Sequence, residues 1–256
     1  MKKSILTFIC FILTVFIFAQ NNLYVVYNTS TFTSKSKSTL LASKTHSVYE
    51  DGFLSADALD GDIGDNEYVL GGMNKSRIYQ SIDNPNLIKL QIFKNNNPDS
   101  MIRKDYNLRD EMPEMNWIIN HDKPTTEILG YACQEATVEF RGSKFIAYFT
   151  NDIPTTFGPW KFHGLPGLIL SVKSQDNPAI YWEAEEITYP SKIDISSEPK
   201  IEIFNMTLKE HIEEIDNLTE QIFKNYIAKS GANFQFTPPS ERRSKIVERK
   251  YEWETW

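Results

Sequence analysis

The sequence predicts a mainly β protein with one long helix near its C-terminus. Three observations predict it. Short runs rich in aromatic and β-branched residues recur along the chain, separated by Asn, Asp, Gly and Pro. A single stretch, from Thr207 to Tyr226, carries apolar residues at helical spacing behind a capping signal. Among residues 20–256 there is one cysteine, Cys133, so no internal disulfide can staple that part of the fold and it must rest on apolar burial.

The elements follow in order. Met1-Lys2-Lys3, the apolar run Ile5–Phe18 and Ala19 form the three-part pattern of a secretory signal peptide, with cleavage expected after Ala19. Fourteen residues are too few to span a bilayer, which takes about 20. Cys10 lies inside that run behind Ile9, the wrong place for lipidation. Export to the periplasm or cell envelope is the expectation, with residues 20–240 as a single β-rich domain and 241–256 as a charged tail. Leu23–Tyr27 reads as the first strand, and the Ser/Thr/Lys-rich stretch 28–45 as a weak strand or mobile loop. Residues 51–72, with Gly and Asp throughout, read as the longest loop. Ser76–Ile82 and Leu87–Lys94 pair across Asp83-Asn84-Pro85-Asn86, which has turn chemistry. A strand opens at Trp117-Ile118-Ile119. Ala132–Phe140 and Lys144–Asn151 form a hairpin around Arg141-Gly142-Ser143. The second of these strands is apolar on both faces and must be covered on both. Leu168–Lys173 pairs with Ile180–Ile187 across Asp176-Asn177-Pro178.

In the helix, Thr207 and Glu210 are spaced as a capping box. Leu208, Ile212, Ile215, Leu218, Ile222, Phe223 and Tyr226 form the apolar stripe, and Gly231 stands where a C-terminal cap belongs. The stripe needs a partner, and the strand Phe145–Phe149 is a candidate.

The chain has 256 residues and a net charge of −7, more negative once Lys2 and Lys3 are removed. An acidic chain of this kind disfavours nucleic-acid binding, and no second apolar run reaches spanning length. Catalytic motifs are missing: there is no Gly-x-Ser-x-Gly elbow, no His-Glu-x-x-His and no P-loop, and His46, His121, His163 and His211 are scattered. The acidic stretch Asp60–Glu67 lacks the spacing of a calcium loop. Glu183 and Glu185 alternate with Trp182 and Ala184 as an ordinary outward-facing pair. No catalytic residue, metal ligand or cofactor is assigned.

Residues 164–169 read Gly-Leu-Pro-Gly-Leu-Ile. Around them lie Gly130-Tyr131-Ala132-Cys133, Thr150-Asn151-Asp152-Ile153-Pro154 and Gly158-Pro159-Trp160. In this order, over about residues 117–175, the chain resembles the GLPGLI family, exported proteins of Bacteroidetes-type hosts with no settled activity. A weaker similarity links that core to periplasmic lipoprotein-carrier-like proteins. It implies a single curved antiparallel sheet, half-barrel-like, packed around the C-terminal helix.

The signature itself is a turn device. Gly164 and Gly167 permit backbone angles closed to other residues, Pro166 fixes one between them, and Leu165, Leu168 and Ile169 anchor the turn in the core. With Phe157, Trp160, Phe162 and His163 in front of it, the stretch also makes a candidate ligand or partner surface: Phe157, Trp160, Phe162, His163, Gly164, Leu165, Pro166 and Gly167. Large aromatic area there suits an apolar ligand such as a lipid, or an extended peptide. A non-enzymatic binding or chaperone-like module is therefore the expected function. The alternatives are an envelope accessory protein that docks to an outer-membrane transporter through the turn, reachable at Lys161, and a thiol hydrolase built on Cys133 and His163.

Overall fold

The computed structural model describes residues 22–31, 34–52, 75–94, 104–195, 201–230 and 247–254. The expected leader, the acidic stretch 60–67 and the cap at Gly231 lie outside the described residues, as does most of the loop expected over 51–72.

The described residues form one open, curved sheet of thirteen strands and one C-terminal α-helix. The strands are β1 (Asn22–Thr31), β2 (Ser34–Ala42), β3 (His46–Asp51), β4 (Ser76–Ser81), β5 (Leu87–Ile92), β6 (Tyr106–Glu111), β7 (Ile118–Ile119), β8 (Thr126–Ile128), β9 (Tyr131–Phe140), β10 (Ser143–Thr150), β11 (Leu168–Ser174), β12 (Tyr181–Ser191) and β13 (Met206–Thr207). The helix is α1 (Leu208–Ser230). The order across the sheet is β13-β6-β5-β4-β3-β2-β1-β12-β11-β10-β9-β7, with β8 also paired to β9. Every pairing is antiparallel except β13 with β6.

Local chemistry explains the hairpins. Arg141 and Gly142 both take positive φ, 47° and 74°, as a two-residue turn with right-handed strand twist requires. They join β9 to β10 with Val138 opposite Phe145 and Ala136 opposite Ala147. Asn84 closes β4 onto β5: Leu87 N–H donates to the Asn84 carbonyl at 3.1 Å. Within the stretch 28–45, residues 28–31 and 34–42 are strand, the first of the two readings offered above. Several of its inward side chains are hydroxyls: Ser38 hydrogen-bonds to Thr29 and to Tyr49 of the next strand, both at 2.7 Å.

Curvature comes from irregular pairing. Bulges interrupt the β1–β12 ladder twice and the β10–β11 ladder once, and each adds local twist. The sheet bends until strands near its two ends touch: Asp110 on β6 meets Arg141 in the β9–β10 turn and Lys161 beyond β10. The interior so enclosed is filled. Tyr27, Leu40, Ile88, Leu108, Phe145, Phe162, Leu165 and Trp182 from all parts of the sheet are at most 1 % exposed.

The capping box is formed. Thr207 N–H donates to Glu210 Oε2 at 2.7 Å, and Glu210 N–H donates to Thr207 Oγ1 at 3.2 Å. The strand that receives α1 differs from the candidate named above. Its first turns lie along the β6 edge: Leu208 is buried, the His211 ring sits edge-on to Tyr106 at 4.4 Å, and Tyr106 Oη donates to Glu214 at 3.0 Å. Phe145 is instead covered from within by Phe162, 5.0 Å away. Farther along the helix, Ile222 is half exposed.

Candidate functional site

The signature corner joins β10 to β11. Ile153, Phe157, Phe162, Leu165 and Leu168 are all buried and hold it against the sheet. Phe157 bridges His163, Gly164 N–H donates to the Thr156 carbonyl at 2.8 Å, and Leu168 N–H donates to the Ile153 carbonyl at 3.1 Å. The two glycines have different tasks. Gly164 has φ of 92°, which a side chain resists. Gly167 is not at positive φ; it lies so close to Thr150 that a Cβ would collide with the Thr150 carbonyl. That second role corrects the expectation that both glycines serve backbone angle.

Trp160 holds a positive φ of 53°, costly for a bulky residue. Packing holds it there. Its indole stacks on Trp182 at 5.5 Å and 18°, and meets Phe140 and Phe162 edge-on at 6.0 and 5.3 Å.

An open cleft of about 700 Å³ lies beside the corner. The corner supplies one wall, through Pro154, Thr155, Thr156, Gly164 and Pro166; Ile82, Pro85, Asn86 and Glu114–Asn116 supply the other. His163 joins the two. Its Nδ1–H donates to the Lys161 carbonyl at 3.0 Å, and its Nε2 lies 3.3 Å from the Asn86 side-chain oxygen. Burial pushes the imidazole below its usual pKa, so it is neutral at pH 7. Trp117 Nε1–H donates to the His163 carbonyl at 2.8 Å and fixes that residue from below. Of the eight residues named from the sequence, His163, Gly164 and Pro166 line this cleft. Phe157, Phe162 and Leu165 are core, Gly167 is packed on Thr150, and Trp160 is half-buried against Trp182.

Lys161 is no docking handle. Its side chain is 2 % exposed, and Nζ donates to Asp110 at 2.7 Å and to Glu248 at 2.8 and 3.0 Å. Arg141 grips the same Asp110 with both terminal nitrogens, at 3.0 and 2.7 Å, and also holds Glu248 and Glu252. Burial alone would raise the Asp110 carboxyl, but Lys161 and Arg141 outweigh it and hold it below the usual carboxylate range. Burial likewise works against the Arg141 charge, and Glu248 and Asp110 overcome it and raise its pKa. This clasp ties the sheet's two ends together. Sequence reasoning missed it: an Arg-Gly turn reads as solvated, and Glu248 and Glu252 read as part of a charged tail.

Cys133 is fully buried on β9, with Sγ–H donating to the Tyr131 carbonyl at 3.4 Å. Burial pushes its thiol up to about 11, so no thiolate forms at pH 7. His163 is buried, with Nδ1 committed to the Lys161 carbonyl. The pair therefore offers no nucleophile and base. Iodoacetamide should leave Cys133 unmodified in the native protein and alkylate it only in denaturant. Rapid native labelling, followed by mass spectrometry, is the contrary result.

Fold and sites together define a mainly β protein: one curved sheet, a glycine corner edging a surface cleft, and a buried ionic clasp. No helix among the described residues is long and apolar enough to cross a membrane, which says nothing of a β-barrel. Residues 138–171, from the end of β9 through the corner into β11, match the family model described as "Protein of unknown function (Porph_ging)". Two crystal structures of PNGF-II are similar in shape. The one in the C2 space group shares 14% identity at a TM-score of 0.48, covering 76% of this chain and 32% of its own. The one in P21 shares 15% at 0.46, covering 73% and 31%. The chain thus spans about a third of the length of these structures. No curated protein matches the sequence.

Proposed function

We propose that the chain is an exported, GLPGLI-type binding module of the bacterial cell envelope, and that its cleft holds an extended polypeptide segment. The observation that carries this reading is where space exists. The curve of the sheet is packed with side chains such as Phe145, Phe162 and Trp182, so a lipid has no room inside it. The open cleft at the corner has the volume of an ordinary ligand site. Its lining suits a peptide better than an acyl chain. Ile82, Pro85, Met115 and Pro166 offer apolar contact, while Asn86, Asn116 and Thr155 stand among them as partners for backbone N–H and C=O groups. Lys44 and Glu114 give the cleft one charge of each sign, which selects orientation.

A photoreactive residue placed at Ile82, 44 % exposed, tests this in the host envelope. The same probe at Ile118, 66 % exposed on β7 and outside the cleft, is the control. A discrete protein adduct from position 82 that position 118 does not give is the expected result. No adduct at 82, or the same pattern from both positions, overturns the reading.

A further inference from the structure

Residues 247–254 belong to no strand, yet they sit on the sheet as a bound peptide would. Their backbone is anchored: the N–H groups of Arg249 and Lys250 donate to the Arg141 carbonyl at 2.9 and 3.0 Å. Their carboxylates are read. Glu248 accepts from Lys161 Nζ and Arg141, and Glu252 accepts from Arg141 Nε and a terminal nitrogen at 3.0 and 3.1 Å. Their aromatic residues are read too. The Arg141 guanidinium lies over the Tyr251 ring at 5.1 Å, and Tyr251 stacks on Trp253 at 4.7 Å.

The charge balance shows what the segment contributes. Beneath the segment, Arg141 and Lys161 are 0 % and 2 % exposed, and the sheet supplies a single buried carboxylate, Asp110, to face them. With the segment seated, two cations face one carboxylate from the sheet, which leaves a hole for one more carboxylate from above. Glu248, only 12 % exposed, fills it. Glu252 is 38 % exposed at the rim.

We propose that Arg141, Lys161 and Asp110 form a receptor for an acidic peptide segment, with residues 247–254 as its resident occupant. A partner segment that brings a carboxylate into the hole, with an aromatic ring and a second carboxylate at the spacing of Tyr251 and Glu252, takes the same seat in trans. The site is separate from the cleft, and its recognition is ionic where the cleft mixes apolar contacts with neutral polar partners.

The probe is a fluorescent peptide of residues 247–254, titrated onto the full chain carrying Glu248→Gln and Glu252→Gln. Saturable binding is expected, with affinity lowered at least about tenfold when both glutamates of the peptide are also Gln. Absence of saturable binding to the folded variant, or equal binding of the two peptides, overturns the proposal. Should the variant fail to fold, native-state hydrogen exchange of the unaltered chain decides. An exchangeable occupant gives Arg249 and Lys250 amides that exchange far faster than those of Phe145 and Ala147. Exchange in step with those β10 amides makes the segment a fixed part of the fold and refutes it.

Discussion

Asp110→Asn will destabilise the protein by about 3–5 kcal/mol, the cost typical of breaking a buried ion pair from one side. The substitution keeps the shape and removes the charge. Arg141 and Lys161 are then left with Glu248 as the main buried counter-ion, though both stay out of water. Denaturant unfolding measures the loss. A second substitution, Lys161→Met, removes the surplus cation and should restore part of it, so the two changes will be far from additive. Loss below about 1 kcal/mol for Asp110→Asn would mean that water reaches the clasp. The sign of the pH dependence follows from the lowered Asp110 pKa. A carboxyl depressed in the folded state stabilises above its unfolded value of 3.8 and loses that contribution as pH falls through the folded value. The contribution of Asp110 should therefore hold unchanged from pH 7 to about 5 and be lost only in stronger acid.

The same residue explains why β6 escaped sequence reading. Along Tyr106–Glu111 the inward places are Tyr106, Leu108 and Asp110. A carboxylate at the third inward place breaks the apolar alternation, and only the distant partners Arg141 and Lys161 make it a core residue. The stretch 34–42 read only as a weak strand or a loop for a related reason. Ser36 and Ser38 face inward, so the pattern of a strand is present with hydroxyls in place of apolar groups. What was legible was local: the Arg141-Gly142 turn, the Asp83–Asn86 turn, the doubly apolar β10 and the Thr207–Glu210 box all depend on residues a few places apart. The corner was legible as a corner, and His163, Gly164 and Pro166 were singled out with it. The opposite wall of the cleft was not, because Ile82, Pro85, Asn86 and Glu114–Asn116 are far from the corner in sequence and meet it only in the folded sheet.

The signature's two glycines give the sharpest contrast between substitutions of the same kind. Gly164→Ala meets open space, with the Trp117 ring no nearer than 3.9 Å, and suffers only the cost of a side chain at φ of 92°. About 1–2 kcal/mol is expected. Gly167→Ala has no such room. The new Cβ would press on the carbonyl carbon and oxygen of Thr150 and stand 3.0 Å from the Asn151 Cα. Backbone cannot rotate aside as a side chain can, so the end of β10 and the corner must separate. Separation opens the packing of Ile153 and Leu168, both buried, and stretches the Leu168 N–H bond to the Ile153 carbonyl. A loss of at least about 3 kcal/mol, or failure to fold, is expected. Unfolding midpoints of the two variants, measured side by side, check the order. If Gly167→Ala proves as mild as Gly164→Ala, the close seat of the corner on Thr150 is wrong, and with it the fixed wall from which Gly164 and Pro166 edge the cleft.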